Sequence, residues 1–393
     1  MKMGFRSSCL IVILASLAGL TMQDATAAPK SASTSFQIDV AHTGSTQFAK
    51  FNTPLKLKWS IQLGGYVSYP IIADGRVFVT VANQDPFDAE LVALNLKNGA
   101  VLWRTPIPDN FALWSNATYE NGLVFVLNSD GAMLAYNGKT GRVRWGVQLQ
   151  GQYQFASPPI ASGGTVFASG IGSGGTIYAI DEKRGKVMWS QNVAGSLFGA
   201  PALGDNGLYF SFGCDSYDFN PQTGAQIWHN NYGCSGGSGK TPVYSSQRLY
   251  ARTITEGNTI FSGVDGTSLG TYNADEPPAF YTDAGGNPME AVLYNGTLYG
   301  LHADTGAQAW TFIGDKFLTS APLVINGKVI EGSEFGHLYV LDGGTGNVDW
   351  KTTISDIYAP DEYTLDQPLT GFGAADGMLV VPAGFSIFAY KSR

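Results

Sequence analysis

The chain has 393 residues, 14% of them charged, with 31 acidic against 23 basic side chains and a formal net charge of −8. Affinity for nucleic acid comes largely from Lys and Arg neutralising phosphates, so this balance excludes a nucleic-acid binder and argues against an anionic-lipid surface as partner.

In chain order, the first 27 residues, "MKMGFRSSCLIVILASLAGLTMQDATA", place Lys2 and Arg6 ahead of an apolar run and end in Ala25-Thr26-Ala27. That is the pattern of a secretory signal peptide cleaved before Ala28, so an exported, periplasmic or secreted protein is expected. Cys9 stands at the start of the apolar run, far from the cleavage site, and does not form a lipobox; no later apolar run is long enough for a membrane-spanning helix. Removing the signal leaves Cys214 and Cys234, an isolated pair that an oxidising compartment is expected to join as a structural disulfide. Residues 28–54 read as an N-terminal extension and residues 55–393 as a single domain.

From residue 55 onward one repeat explains the chain. "LVALNLKNGAVLW" ends at Trp103, "MLAYNGKTGRVRW" at Trp145, "IYAIDEKRGKVMW" at Trp189, "SYDFNPQTGAQIW" at Trp228, "LYGLHADTGAQAW" at Trp310 and "LYVLDGGTGNVDW" at Trp350. A degenerate copy, "IFSGVDGTSLGTY", places Tyr272 where Trp is expected, and the leading "LKLKW" ends at Trp59. The spacing, about 42 residues, is that of a four-stranded β-propeller blade. The "LYxLD" segment alternates as a strand between packed sheets does. The Thr-Gly or Asn-Gly pair supplies the turn, and the Trp on the next strand offers a large apolar area to the neighbouring blade. Segments such as "SPPIASGGTVFASG" supply the two strands upstream.

The ends set the blade count. The closing "SIFAYKSR" reads as a third strand lacking its fourth, and "LKLKWSI", Leu55 to Ile61, matches that missing strand. The expected fold is therefore all-β: an eight-bladed propeller of four-stranded antiparallel blades, with the N-terminal strand completing the last blade and removing an open edge.

The "LDxxTGxxxW" repeats, together with "FQIDVAHTGSTQF" and "LKLKWSIQLGGYVSYPIIADGRVFV", resemble the PQQ-like propeller repeat proteins, a family that includes quinoprotein alcohol dehydrogenases and the BamB propeller of the outer-membrane barrel assembly machinery. The resemblance covers nearly all of residues 36–393 and speaks to fold more than to function. Its dehydrogenase branch implies PQQ with Ca²⁺ in the propeller funnel, an adjacent-cysteine disulfide and a haem-bearing partner or domain. This chain has no Cys-Cys pair and no C-x-x-C-H motif.

"GCSGGSGKTPVY", Gly233 to Tyr244, mimics a phosphate loop, but the spacing to Gly239-Lys240-Thr241 is wrong and a strand-like run follows where a helix is needed. Cys214 lies in a second-to-third-strand loop of the fourth blade and Cys234 in the loop leading to the fifth, so both reach one face. A bridge between them would contribute about 3 kcal/mol and tie down the glycines.

The same face collects aromatic side chains: Tyr66, Tyr69, Phe111, Trp114, Tyr153, Phe155, Phe198, Phe317, Tyr358 and Tyr363. They fit either a ligand or partner surface around the funnel or a packing of the blade tops. The expected function is a non-catalytic binding or scaffold module, monomeric, with a protein or small-molecule partner and no required cofactor. The alternative is a PQQ/Ca-dependent dehydrogenase of alcohols or sugars. No metal site is expected: His42, His229, His302 and His337 are scattered, and Asp356, Asp361, Glu362 and Asp366 lack a calcium-loop pattern. Asn116 and Asn295 begin glycosylation sequons.

Overall fold

The computed structural model describes residue 1 and residues 32–83, 88–108, 112–172, 174–194, 196–205, 207–231, 238–253 and 257–392. The expected signal peptide lies outside them, as do Phe111 and Cys234. Eight separate antiparallel sheets follow one another along the chain, in residues 66–107, 115–148, 160–193, 202–231, 238–272, 279–312, 323–353 and 373–391; they are blades 1 to 8 below. Lys56–Gln62 pairs antiparallel with Ser386–Lys391 and supplies the outermost strand of blade 8, so the two ends of the propeller close one sheet. Among the described residues no helix is long and apolar enough to cross a membrane.

The repeat is explained by its turn and its Trp. In blade 2, Asn137 Oδ1 accepts from Lys139 N (3.1 Å), Thr140 N (3.0 Å) and Thr140 Oγ1 (3.0 Å), and Gly141 leaves the turn at φ +69°. Asn220 and Asp342 cap the same turn in blades 4 and 7. The Trp of each preceding blade lies over the turn glycine and donates its indole N–H into the next blade: Trp59 to Leu96 O (2.8 Å), Trp103 to Gly138 O (3.3 Å), Trp145 to Glu182 O (2.7 Å), Trp189 to Pro221 O (3.1 Å), Trp228 to Gly263 O (3.3 Å) and Trp310 to Gly343 O (2.8 Å). The glycine is thus required twice, for a left-handed φ and for room. At Gly185 (φ +66°) a Cβ would stand 2.5 Å from the Trp145 ring. Gly185→Ala is expected to cost about 2–4 kcal/mol from left-handed strain plus overpacking, read as a lower urea midpoint at unchanged m.

Tyr272 departs from its expected place. In blades 1 and 2 the Trp pairs across from a third-strand Ala, Ala93 with Trp103 and Ala135 with Trp145; in blade 5 the position equivalent to that Trp, opposite Ile260, is Gly270. Tyr272 lies two residues further on, opposite Asn258, and its ring packs edge-on against Tyr250 at 5.5 Å. The turn glycine beyond it, Gly306, has nothing over it. Trp350, facing a blade without a third-to-fourth-strand turn, packs on Tyr390 instead (5.4 Å).

Residues 33–46 lie inside the ring. They bond to the innermost strands of six blades: Ser33 bridges Ile72, Tyr119 N donates to Thr34 O, Leu203 N to Val40 O, Tyr244 N to Ala41 O and Phe280 N to Thr43 O, and Ser45–Thr46 adds a parallel strand to blade 7. Phe36, Ile38 and His42 are buried. Asp39 holds the tight path by accepting from Ala41 N, Thr43 N and Thr43 Oγ1. Ile38 takes φ 77°, an outlier for a β-branched residue, with its side chain buried in the core shared with blades 7 and 8. The segment plugs the channel on the side of the first-to-second-strand turns.

Candidate functional site

The opposite mouth of the channel is covered by the long connection from blade 7 to blade 8, residues 354–372. Ile357 packs with blades 7 and 8, Leu365 against the core of blades 2 to 4, and Leu369 with blades 1 and 2. Midway, Asp361 accepts from Tyr363 N (2.9 Å), Thr364 N (3.0 Å) and Thr364 Oγ1 (2.5 Å). This turn aims Glu362 into the channel and Tyr363 out to solvent.

Inside, Glu362 accepts from Thr241 N (2.6 Å) and Arg252 Nη1 (2.6 Å). Arg252, fully buried, also donates from Nη1 to Thr241 O (3.2 Å) and from Nη2 to Asp275 O (2.5 Å), with Glu276 Oε2 3.6 Å from Nη2. On the second strand of blade 7, Lys328–Gly332, Glu331 Oε1 accepts from Ser320 Oγ (2.7 Å), and its Oε2 has no partner. Burial tends to raise all three carboxyls. For Glu362, the Arg252 and Lys240 charges and the Thr241 amide outweigh it and hold the group below the usual carboxylate range. Burial wins at Glu276, pushed up to about 8 against the opposing Arg252 charge, and at Glu331, raised well above its ordinary value. The channel therefore holds one ion pair and two carboxyls that favour their neutral form.

Around this mouth the expected aromatic set divides. Tyr153 (80% exposed), Tyr363 (60%), Phe317 (47%) and Tyr358 (38%) face solvent. Tyr66 and Phe198 are half-buried, Tyr66 near Tyr358 (6.1 Å) and Phe198 near Tyr363 (5.8 Å). Tyr69, Trp114 and Phe155 are not on the surface; each is at most 2% exposed and fills the inter-blade core. Tyr69 donates its hydroxyl to Ala117 O (2.6 Å), and Trp114 reaches the Asn116 amide oxygen at 3.2 Å in the amide orientation that satisfies both. Asn116 is itself fully buried, which removes it as a glycan acceptor. Two exposed rings were missed from sequence, Phe335 (53%) and Phe385 (38%), at the tips of second-to-third-strand hairpins in "SEFGH" and "AGFSI". Phe335 packs edge-on with Phe317 at 4.7 Å and Phe385 with Tyr66 at 5.1 Å. An aromatic at a hairpin tip, where the turn needs only small or polar residues, was the available signal.

Of the acidic group, Glu362 is consumed by Arg252 and Asp361 by its turn, and among the described residues no three His, Cys, Asp or Glu side chains converge as for a metal. His42 sits in the plug with Nδ1 and Nε2 each 2.8 Å from a carbonyl, Phe36 O and Pro201 O, and His229 pairs with Asp215 (2.6 Å) over Tyr217. Gly239-Lys240-Thr241 lies on a strand, Ser238–Ser245, which removes the phosphate-loop resemblance. Cys214 is buried at the top of blade 4.

A family profile described as outer membrane protein assembly factor BamB matches residues 87–276 and 217–360. Tetrathionate hydrolase from Acidithiobacillus ferrooxidans is 24% identical over 314 residues, 74% of this chain and 58% of that protein. The dehydrogenase subunit of a quinone alcohol dehydrogenase from Gluconacetobacter polyoxogenes is 24% identical over 365 residues, 79% of this chain and 45% of that one. The chain spans about half the length of these curated relatives. The crystal structure of BamB from Moraxella catarrhalis aligns with a TM-score of 0.64 at 17% identity, over 86% of this chain and 100% of that one, a likeness of fold. With repeats, ring and matched residues in agreement, the chain belongs to the PQQ-like repeat propeller family described as outer membrane protein assembly factor BamB.

Proposed function

We propose that this chain is an exported, non-catalytic propeller that holds a partner, foremost a protein, on its aromatic loop face. The observation that carries the reading is the set of exposed rings, Phe317 with Phe335, Tyr358 and Tyr363, displayed over a channel mouth in which Arg252 and Glu362 are bonded to each other. Aromatic side chains are the residues that anchor protein interfaces, and the BamB description of the family supports this use of the fold. A Cys214–Cys234 disulfide would hold the loop entering blade 5 beside this face. The test is affinity capture from periplasmic extract with the full chain and with a variant carrying Phe317→Ser, Phe335→Ser, Tyr358→Ser and Tyr363→Ser. A partner retained by the wild type and lost by the variant is expected; equal retention by both would sink the reading.

The second reading, a PQQ/Ca-dependent dehydrogenase, is favoured by the similarity to the quinone alcohol dehydrogenase subunit over most of the chain. The described residues do not suit that cofactor. PQQ is polyanionic, whereas both terminal nitrogens of Arg252 are already engaged by Glu362, Thr241 O and Asp275 O. Calorimetric titration of the mature protein with PQQ, with and without Ca²⁺, is expected to give no heat. Calcium-dependent micromolar binding would replace the scaffold reading.

A further inference from the structure

Blade 4 breaks a packing rule that blades 1, 2 and 3 obey. In those blades a second-strand Phe faces a third-strand Ala: Phe78 opposite Ala93, Phe125 opposite Ala135 and Phe167 opposite Ala179. Each Ala in turn faces the repeat Trp. In blade 4 the same pair is Tyr209 opposite Asp218, and Asp218 faces Trp228. An acid thus replaces a methyl group at an inter-blade core position, where an uncompensated carboxylate is costly.

Asp218 is 2% exposed, and its Oδ1 has no hydrogen-bond partner. It lines a cavity of about 190 Å³ between blades 4 and 5, with room for more than a single water. The walls are Tyr209 and Tyr244, stacked at 4.9 Å and 11°. Their hydroxyls are committed, Tyr209 donating to Gly263 O (2.9 Å) and Tyr244 to Asp205 Oδ2 (3.2 Å). What the cavity offers a ligand is therefore carboxylate oxygen, from Asp218 at the base and Asp205 at the side, together with the Gln247 amide, beside the stacked tyrosine pair. Ile227 (49% exposed) and Val264 (68%) form an apolar rim. Among the described residues no basic side chain lines it. It opens among the first-to-second and third-to-fourth-strand turns, on the side of the propeller opposite the aromatic loops, so it is independent of the function proposed above.

We infer that this crevice is a binding site for an alkylammonium group, a primary amine on an apolar chain, with Asp218 and Asp205 as its counter-ions. The ammonium supplies the N–H donors that Asp218 Oδ1 lacks, Tyr209 and Tyr244 line the cavity beside its methylenes, and Ile227 and Val264 cover the chain as it leaves. Two carboxylates without a third acidic, His or Cys ligand do not make a calcium or zinc site. Burial pushes the Asp218 carboxyl up to about 7 without a ligand, so a bound cation also relieves its desolvation above that range.

The same group arrives either on a free amine or on a lysine side chain. The experiment titrates the full mature chain calorimetrically near pH 8 with n-butylammonium, with Nα-acetyl-lysine N-methylamide and with tetramethylammonium, which lacks N–H donors. Binding of the first two, with tetramethylammonium weaker by about tenfold or more, is expected. Equal affinity assigns a free alkylamine and preference for the lysine derivative assigns a protein side chain. Asp218→Ala places Ala opposite an aromatic residue, here Tyr209, as in blades 1 to 3, so it is expected to fold with an unchanged or higher melting temperature while losing about tenfold or more in amine affinity. Silence of both amines in the wild type, wild-type affinity in Asp218→Ala, or equal binding of tetramethylammonium would overturn the assignment.

Discussion

Arg252→Ala is expected to destabilise the propeller by about 3–5 kcal/mol, because it leaves the buried Glu362 carboxylate without its counter-charge. The cost should come from the orphaned acid more than from the lost pair. A double variant, Arg252→Met with Glu362→Met, should therefore recover much of it, and urea melts of the three proteins measure the difference. Equal losses in the single and double variants would mean that packing, not charge, sets the cost. The same cluster dictates a pH dependence. Glu276 and Glu331 have raised folded pKa values, so they bind more protons folded than unfolded. Their stabilising contribution is complete below the ordinary Glu value of about 4.5 and is lost as pH rises; for Glu276 the loss extends through about 8. Glu362, held low, contributes in the opposite sense, and its contribution is lost as pH falls through its depressed value. Stability should accordingly decline from about pH 5 to 8, and Glu276→Gln should flatten that slope.

Phe36→Ala is expected to cost about 3–5 kcal/mol, as large as for an aromatic in the middle of a blade, although Phe36 belongs to no strand. Its ring is 1% exposed, 5.4 Å from Tyr69 and 6.2 Å from His42, and joins the core of blades 1 and 2. Losing it opens a cavity at the channel axis and loosens the segment whose carbonyls accept from the inner strands. The measurement is the urea midpoint together with hydrogen exchange at the Leu203, Tyr244 and Phe280 amides, which donate to Val40, Ala41 and Thr43. Protection at those three amides should fall further than in the blade interiors. A neutral Phe36→Ala would show that the plug rests on the ring without supporting it.

The plug and the lid also explain which parts of the aromatic face could be read in advance. Loop position along a repeat places a residue at one end of a blade, and Tyr153, Phe317, Tyr358 and Tyr363 are exposed. It does not say whether the ring turns out to water or down between sheets. Tyr69, Trp114 and Phe155 turn down, because the space there is filled by residues far away in sequence, Phe36 and Leu369 against Tyr69 among them. Glu362 stood among four acidic residues with no spacing to distinguish it, and only its approach to Arg252, 110 positions earlier, gives it a role.

The propeller itself was determined by the sequence alone. A glycine turn and a Trp recurring about every 42 residues specify strands that cannot bury their faces singly, and a missing fourth strand at one end with a spare strand at the other specifies an eight-membered ring. These signals are local and repeated, so period alone reveals them. Even the anomaly of Asp218 is visible as "SYDFN" beside "LVALN" and "IYAID". What the tertiary structure decided was everything that occurs once: the path of residues 33–46 through the channel, the insertion of Glu362, the two-residue displacement of Tyr272, and the cavity that Asp218 faces. Each depends on contacts between segments in different blades, where close packing and charge pairing, rather than periodicity, select the arrangement.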